Sequence, residues 1–304
     1  MHFQRAYIEI SNICNLQCDF CPEVERPAER MSLALFTRVI DESKDFVDEV
    51  TFHVMGEPLA HPEFEKFVEI CATRAVPIHL TTNGTLLDHS GANDRSRADV
   101  LLHPIFRQIN FSLQSFPANT RQTSEKRNTG FDTYMKRIFH FTRHALEQRP
   151  DLYINYRLWN IGSAEASADE NRKFLDPIHE EFGFQLKSAV DVRSRKSHRI
   201  LGRLYLHFDS RFEWPNLERP RLQSEGHCHA LNTHFSVLSD GTVVPCCLDK
   251  EAGIPLGRIN VDSPIGELAR IIGNDRARRL RDGFDRGKIH EELCRRCSFI
   301  SRFN

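Results

Sequence analysis

Long apolar runs and an excess of charge of one sign are both missing from this sequence. No stretch approaches the length of a membrane-spanning helix, and the opening residues MHFQRAYIEIS are too short and too polar for the apolar part of a secretory signal. The 41 basic and 42 acidic residues give a net charge of −1, so we expect no nucleic acid partner. We therefore expect a cytoplasmic protein that has no membrane partner.

Internal repeats and low-complexity tracts are missing as well, which excludes solenoids and long compositionally biased segments. The 304 residues are 40% hydrophobic and 27% charged, as in an ordinary globular protein. This length accommodates one large α/β domain with a smaller appendage, or two modest domains.

Cysteine is the residue type that stands out, and it is concentrated toward the two ends of the chain. An odd number of cysteines without a secretory signal argues against a disulfide framework, since cytosolic thiols are kept reduced. Their clustering predicts two metal sites instead. The nine cysteines are Cys14, Cys18, Cys21, Cys71, Cys228, Cys246, Cys247, Cys294 and Cys297.

The first two-thirds of the chain reads as strands that alternate with helices. Such alternation favours parallel βαβ units, arranged as an open doubly wound sheet or as a partial barrel. In both architectures the loops that leave the carboxyl ends of the strands carry the chemistry. We predict strands at 7–10, 50–54, 78–82, 108–113, 153–159 and 184–190, a helix opened by Ser32, and helices at 62–73, 131–147 and 168–182.

The remaining third predicts a connector and a small C-terminal domain. Periodicity fails after residue 190, where Arg, Lys, Ser and Pro accumulate. Beyond it, Asp240-Gly241 between two short apolar runs is a strong hairpin signal, and a helix is predicted at 265–281. We predict domains at 1–190 and 226–304, joined by a connector at 191–225.

The N-terminal cysteines have the form CxxxCxxC. Three thiolates on one short loop can hold three irons of a [4Fe–4S] cluster and leave the fourth iron open to a cofactor or substrate. The alternatives are a zinc loop completed by a distant residue and three unrelated thiols. Zinc sites usually use paired CxxC spacing, so the triplet Cys14, Cys18 and Cys21 favours the cluster.

This motif, with an aromatic residue at Phe20, resembles that of the radical S-adenosylmethionine (radical SAM) superfamily, and the resemblance extends over nearly the whole chain. It implies a partial (β/α)6 TIM-like barrel with Phe20 near SAM, and Cys14, Cys18 and Cys21 as the catalytic cluster ligands. SAM would chelate the open iron, and its reductive cleavage would give a 5′-deoxyadenosyl radical that abstracts hydrogen from a substrate. A reductant such as flavodoxin or ferredoxin would supply the electron.

Further segments occur in the order of that family. Gly56-Glu57-Pro58 resembles its GGEP motif, with Met55 in place of the first glycine, and would bind the ammonium group of SAM. Thr82-Asn83 resembles the TNG segment that lies near SAM. Without the resemblance, both segments are ordinary turns at strand ends.

Three residues on the fourth and fifth predicted strands complete the expected SAM site. Ser112 matches a serine that hydrogen-bonds the ribose, although Gln114 replaces the usual acid. By their placement, Arg157 and Asn160 would contact SAM or substrate. For Arg157, an ordinary salt bridge is the alternative.

The C-terminal cysteines form a second set. Cys228 and Cys246 flank Gly241 in the pattern C-x12-G-x4-C, and Cys294 and Cys297 supply CxxC. Four thiolates complete a [4Fe–4S] cluster or a structural zinc site equally well. Cys247 is an alternative to Cys246, although the glycine spacing favours Cys246.

This second set resembles the SPASM/twitch extension of radical SAM enzymes, and its spacing is nearest to the twitch dehydrogenase of butirosin biosynthesis. The later SPASM cysteines are missing after Cys297, so the twitch type with one auxiliary [4Fe–4S] cluster is expected. Four cysteine ligands imply that this cluster transfers electrons and does not bind substrate.

The resemblance leaves three hypotheses for function. The first is the two-electron oxidation of a small polar metabolite, with the auxiliary cluster as electron acceptor. The second is radical modification of a ribosomally made peptide, by thioether formation or epimerisation; such enzymes often have an N-terminal peptide-recognition domain, which we do not expect here. The third is a non-catalytic electron carrier or zinc module, and the open three-cysteine loop argues against it.

Overall fold

The computed structural model describes residues 1–91, 94–160, 167–186, 196–210 and 213–303. The chain forms two compact units. The first unit comprises Met1–Cys14, Pro22–Ile78 and Phe212–Asn304, and the second comprises Asn15–Cys21 and His79–Arg211. None of the helices within the described ranges is both long and apolar enough to cross a membrane.

Strands and helices alternate through most of the chain, as the sequence predicts. The strands are β1 (Phe3–Ile8), β2 (Val47–Phe52), β3 (Ile78–Thr82), β4 (Phe106–Ser112), β5 (Tyr153–Asn160), β6 (Ser197–Leu201), β7 (Leu204–Ser210), β8 (His234–Val237), β9 (Thr242–Val244) and β10 (Gly257–Arg258). The α-helices are α1 (Leu33–Ser43), α2 (Phe64–Thr73), α3 (Arg97–Leu101), α4 (Ser124–Gln148), α5 (Ser167–Phe182), α6 (Glu267–Ile272), α7 (Asp275–Asp285) and α8 (Glu292–Arg295). Short 3-10 turns occur at Pro58–Ala60, Leu113–Ser115 and Ser298–Arg302.

In the first unit, β1 lies between two parallel neighbours, β2 and β8. β8 and β9 form the antiparallel hairpin that Asp240-Gly241 predicts, and β10 extends it. The hairpin's pairing with β1 was not predicted, since nothing local to either strand specifies a partner more than 200 residues away. Its consequence is that the C-terminal hairpin lies directly beside the first strand of the chain.

The helices of the first unit begin and end where local chemistry requires. Ser32 caps α1 by accepting from the amide N–H of Leu35 at 3.2 Å, as predicted. The single helix predicted at 265–281 is wrong, because the chain breaks between α6 and α7 at Gly273. There the Asn274 side chain accepts from the Ala277 N–H at 2.9 Å and so starts a new helix.

In the second unit, β4, β5 and β7 are parallel and β6 is antiparallel to β7. The strand predicted at 184–190 is not found: residues 184–186 are not in a strand, and 187–190 lie outside the described residues. The strand beside β5 is β7, within the stretch that we predicted as a connector. Its apolar residues Leu204, Leu206 and Phe208 alternate with polar ones, a period-2 signal that the polar composition obscured.

The sheet of the second unit has one apolar and one polar face. On the apolar face Phe111 packs edge-on against Phe141 of α4, and the Tyr156 hydroxyl donates to Thr142 Oγ1 at 2.7 Å. Residues of alternate register, such as Asn110, point to the opposite face. That face therefore presents polar side chains away from the helix layer.

Candidate functional site

The chain enters and leaves the cysteine loop at one point of the first unit. Ser11 and Arg30 form an antiparallel bridge. Asn12 reinforces it, since its Nδ2 donates to the carbonyl of Pro27 at 2.7 Å and its Oδ1 accepts from the Glu29 N–H at 2.7 Å. The cysteine motif is thus the middle of a loop whose ends are fixed.

Within the second unit, the loop is held by residues that follow β4. The Gln17 N–H donates to Asn119 Oδ1 at 3.1 Å, and the Cys18 thiol contacts the Ser115 carbonyl at 3.4 Å. The Cys21 N–H donates to the Cys18 carbonyl at 3.1 Å, and the turn that this bond closes contains the half-buried Phe20. Cys18 is half-buried and Cys21 is exposed, so these thiols are accessible to an incoming ligand.

The turn after β3 is bonded to the same loop. Asn83 donates from Nδ2 to Asn15 Oδ1 at 3.0 Å, and Asn15 donates in turn to Thr85 Oγ1 at 2.9 Å. The Tyr134 hydroxyl donates to the Asn83 carbonyl at 2.9 Å. Thr82 is the last residue of β3, and Asn83 follows it. Asn83 therefore contacts Asn15, the residue next to Cys14 in the chain.

In the first unit, Gly56-Glu57-Pro58 packs against the start of the cysteine loop. Gly56 has φ +76°, and a Cβ there would lie 2.3 Å from the Ser11 carbonyl, so only glycine fits. The Glu57 N–H donates to the Ile13 carbonyl at 3.0 Å, and Glu57 Oε1 accepts from the Leu59 N–H at 3.0 Å. This turn lies against the residue that precedes Cys14.

The predicted residues of β4 and β5 belong to one row on the polar face. Ser112 pairs with Arg157 and Arg157 pairs with His207, so their side chains point the same way. Ser197 of β6 pairs with His207 and its Oγ lies 2.7 Å from His207 Nδ1. Burial, and then the charge of Arg157, lower the pKa of His207. The side chain of Asn160 lies outside the described residues.

The C-terminal cysteines come together in the first unit. Burial raises the pKa of the Cys246 thiol well above its usual value, with further contributions from Cys247, Cys228 and Cys294. The pKa of Cys294 is also raised, by burial and then by Cys228 and Cys297. Asp249 is buried beside them with a pKa of about 6, chiefly because of desolvation.

Cys247 has different surroundings. It packs against the apolar cluster of Val54, Met55, Leu238 and Val244. Burial raises its pKa to about 12, the neighbouring Cys228 raises it further, and a backbone hydrogen bond, Arg5 and Tyr7 oppose the shift. Cys247 thus packs on the apolar cluster and also neighbours Cys228.

Four neighbouring thiols, of which Cys297 is buried and the other three are half-buried, suit a cationic metal site, because ligation requires thiolates and metal cations stabilise them. Four thiolates are the ligands of either a [4Fe–4S] cluster or a structural zinc ion.

Comparison with known families agrees with both cysteine sets. The sequence profile of the Radical SAM superfamily matches residues 8–157, and that of SPASM, an iron–sulfur cluster-binding domain, matches residues 228–298. The chain carries a radical SAM domain and a SPASM domain. These domains imply a SAM-binding [4Fe–4S] cluster and an auxiliary cluster.

Solved structures show the same fold. BtrN in complex with AdoMet and 2-DOIA is 16% identical with a TM-score of 0.56, over 98% of this chain and 94% of that one. SuiB of Streptococcus suis bound to precursor peptide SuiA is 15% identical with a TM-score of 0.56, over 97% of this chain and 71% of that one. The fold is therefore the partial TIM-like barrel with a cysteine-rich C-terminal region that the sequence predicts.

One curated relative is similar over a shorter segment. It is the tungsten-containing aldehyde ferredoxin oxidoreductase cofactor-modifying protein of Pyrococcus furiosus, 34% identical over 85 residues. That segment is 27% of this chain and 24% of the relative's length.

Several residues that shape the site were not predicted from the sequence. Asn15 and Asn119 act through long-range hydrogen bonds that carry no local signal. His207 could have been found from the alternation of β7. Glu9 could have been found as a carboxylate in an otherwise apolar run, Ile8 to Ile10.

Proposed function

We propose that the protein is a radical SAM oxidoreductase that removes two electrons from a small polar metabolite. The observation that carries the proposal is one chain holding both a three-thiol loop with an exposed Cys21 and a second set of four thiols that neighbour one another. The first set leaves an iron open for SAM, and the second, being fully ligated, is suited to accept an electron.

In this proposal the N-terminal site holds SAM on a [4Fe–4S] cluster. Cys14, Cys18 and Cys21 are the cluster ligands. When bound and reduced, this cofactor pair supplies a 5′-deoxyadenosyl radical. The residues that we assign to holding SAM are Phe20, Gly56, Glu57, Pro58, Thr82, Asn83, Ser112, Arg157 and Asn160.

Cys228, Cys246, Cys294 and Cys297 are the auxiliary ligands in this proposal. Cys246 neighbours both Cys228 and Cys294, which supports Cys246 over Cys247. Cys247 neighbours Cys228, Tyr7 and the apolar cluster.

The polar row on β4, β5 and β7 supports a small polar substrate. Ser112, Arg157 and His207 offer hydrogen bonds to hydroxyl groups on the face of the sheet opposite the one that packs on α4. Loss of a hydrogen atom, a proton and one electron converts an alcohol to a ketone. His207, whose pKa is lowered, is neutral near pH 7, so its Nε2 is our candidate to accept the proton.

A peptide substrate is the second candidate. SuiB bound to its precursor peptide has the same TM-score as the complex of BtrN, 0.56, so fold similarity does not favour one substrate class. Peptides are therefore tested as substrates beside small polar metabolites.

The first experiment measures iron, sulfide and SAM cleavage after anaerobic reconstitution. We expect about eight irons per chain in the parent and about four in a variant with Cys14, Cys18 and Cys21 changed to alanine. Cys71→Ala, a buried thiol far from either set in sequence, is the matched control and should retain about eight. A parent with about four irons and bound zinc would exclude the auxiliary electron acceptor.

The second experiment tests the reaction. Reduced enzyme is incubated with SAM and either deuterated polyols and aminocyclitols or synthetic peptides, and deuterium in 5′-deoxyadenosine is measured by mass spectrometry. Transfer from a polyol with formation of a ketone supports the oxidation. Transfer only from peptides replaces it with the second candidate.

A further inference from the structure

Glu9 is a buried carboxylate that lies just after β1 and is only 1% exposed. Its Oε1 accepts from Arg26 Nη2 at 2.8 Å and from Ser239 N and Oγ at 3.2 and 3.0 Å. Its Oε2 accepts from Arg26 Nη2 at 3.0 Å and from the Met55 N–H at 3.3 Å. Three segments far apart in sequence thus donate to one side chain.

The sheet explains why these segments meet. β1 is flanked by β2 and β8, both parallel to it, so the loops that follow the three strands emerge together. Met55 follows β2 and Ser239 follows β8, and the Glu9 N–H donates to the Val237 carbonyl at 2.9 Å. Glu9 therefore occupies the junction at the carboxyl ends of three adjacent strands.

Two of these loops lead to the proposed cofactor sites. Met55 immediately precedes Gly56-Glu57-Pro58, whose Glu57 N–H is bonded to Ile13 beside Cys14. Ser239 begins the hairpin turn that leads through β9 to Cys246. The Glu9 carboxylate is bonded to both loops at once.

Arg26 connects the same carboxylate to the segment after the auxiliary cysteines. The side-chain Nε of Arg26 donates to the Lys250 carbonyl at 2.5 Å, and the backbone N–H of Arg26 donates to Glu251 Oε2 at 3.1 Å. Lys250 Nζ donates in return to the Glu23 carbonyl at 2.7 Å. The stretch that follows the cysteine motif is thus bound to the loop that follows Cys246 and Cys247.

From this geometry we propose that Glu9 is a positioning residue that couples the SAM-binding loop to the auxiliary-cluster domain. SAM affinity then depends on the contact between Glu9 and the β8–β9 hairpin. This inference rests on the proposed function, since it assigns Gly56-Glu57-Pro58 to SAM.

Glu9→Gln is the primary test, because it keeps the shape but turns one acceptor oxygen into a donor NH2 that faces other donors. We expect SAM to bind about tenfold more weakly, a loss of about 1.4 kcal/mol, with about eight irons retained. Glu49→Gln is the matched control. Glu49 is a partly buried carboxylate on β2 that pairs with Arg5, so SAM affinity should stay within about twofold.

Ser239→Ala is the second variant, because it removes one hydroxyl bond to Glu9 and keeps the fold intact. We expect a smaller loss of SAM affinity, and a combined effect with Glu9→Gln that is less than the sum of the single losses. SAM affinity is measured by titrating the electron paramagnetic resonance signal of the reduced N-terminal cluster. Unchanged affinity in both variants overturns the inference. A parent that neither binds nor cleaves SAM overturns the proposed function instead.

Discussion

Asn83 and Asn15 are joined side chain to side chain, with Asn83 Nδ2 donating to Asn15 Oδ1 at 3.0 Å. Because Asn83 follows β3 and Asn15 follows Cys14, this bond fixes the turn after the third strand to the cysteine loop. Thr85 supports it from both sides, accepting from Asn15 and donating to Asn83. The pair is therefore a rigid link within the proposed SAM site.

Asn83→Asp tests this link. The substitution keeps the acceptor used by Thr85 and removes the donor that binds Asn15, so one hydrogen bond worth about 1 to 1.5 kcal/mol is lost. We expect iron content to be retained and the rate of SAM cleavage by dithionite-reduced enzyme to fall about tenfold. Asn155→Asp removes a similar donor, to Asn110, and should not change the rate. Equal rates in all three proteins contradict the prediction.

The auxiliary ligand is decided by changing Cys246 and Cys247 singly. We expect Cys246→Ala to lose about four irons per chain, because its thiol neighbours both Cys228 and Cys294. Cys247→Ala should keep its iron and lose thermal stability, because it removes a partly buried sulfur that packs on the apolar cluster with Met55. Iron analysis and calorimetry of both variants check this, and the reverse pattern of iron loss would assign Cys247 as the ligand.

Local patterns in the sequence predicted the turns around the proposed SAM site, but not the bonds that join them. Gly56 and Asn83 follow strands where apolar alternation stops, so their positions were readable. The partners of Glu9 were not, because Ser239 is 230 residues away and its contact depends on β8 pairing with β1. Tertiary pairing of this kind leaves no trace in a window of ten or fifteen residues.

The strand β7 illustrates the opposite case, in which the signal was present but composition concealed it. Leu204, Leu206 and Phe208 are fully buried, while the residues between them are polar. Strict alternation should therefore outweigh a polar average when a strand is assigned. Because β7 was not predicted as a strand, His207, which lies on it, was not predicted as a site residue either.

The titration of His207 should respond to Arg157. Burial and then the cation of Arg157 lower the pKa of His207, so removing that cation in Arg157→Gln should raise it. Lys196→Gln is the matched control, because Lys196 contributes less than Arg157 to the same shift. Nuclear magnetic resonance of histidine-labelled protein measures both. A His207 pKa that is the same in the parent and in Arg157→Gln would show that the charge of Arg157 does not act on His207, and would contradict the prediction.

His234 should make the protein sensitive to mild acid. Burial, followed by the charges of Arg5 and His229, lowers the pKa of His234 to about 4. The folded state thus keeps His234 neutral, while the unfolded chain takes up a proton below about pH 6.5. Stability from this group is fully present above that pH and is lost as the pH falls toward 4, by about 3 kcal/mol in all.

The measurement compares thermal unfolding at pH 7 and pH 5.5 under anaerobic conditions and at one scan rate, since cluster proteins unfold irreversibly. We expect His234→Gln to show a smaller drop in Tm between the two pH values than the parent, whatever its absolute Tm. His2→Gln, at an exposed histidine paired with Asp48, should show the parent's drop. Equal drops in Tm in the parent and in His234→Gln would mean that other groups govern the acid response, and that burial of His234 in β8 does not lower the stability at pH 5.5.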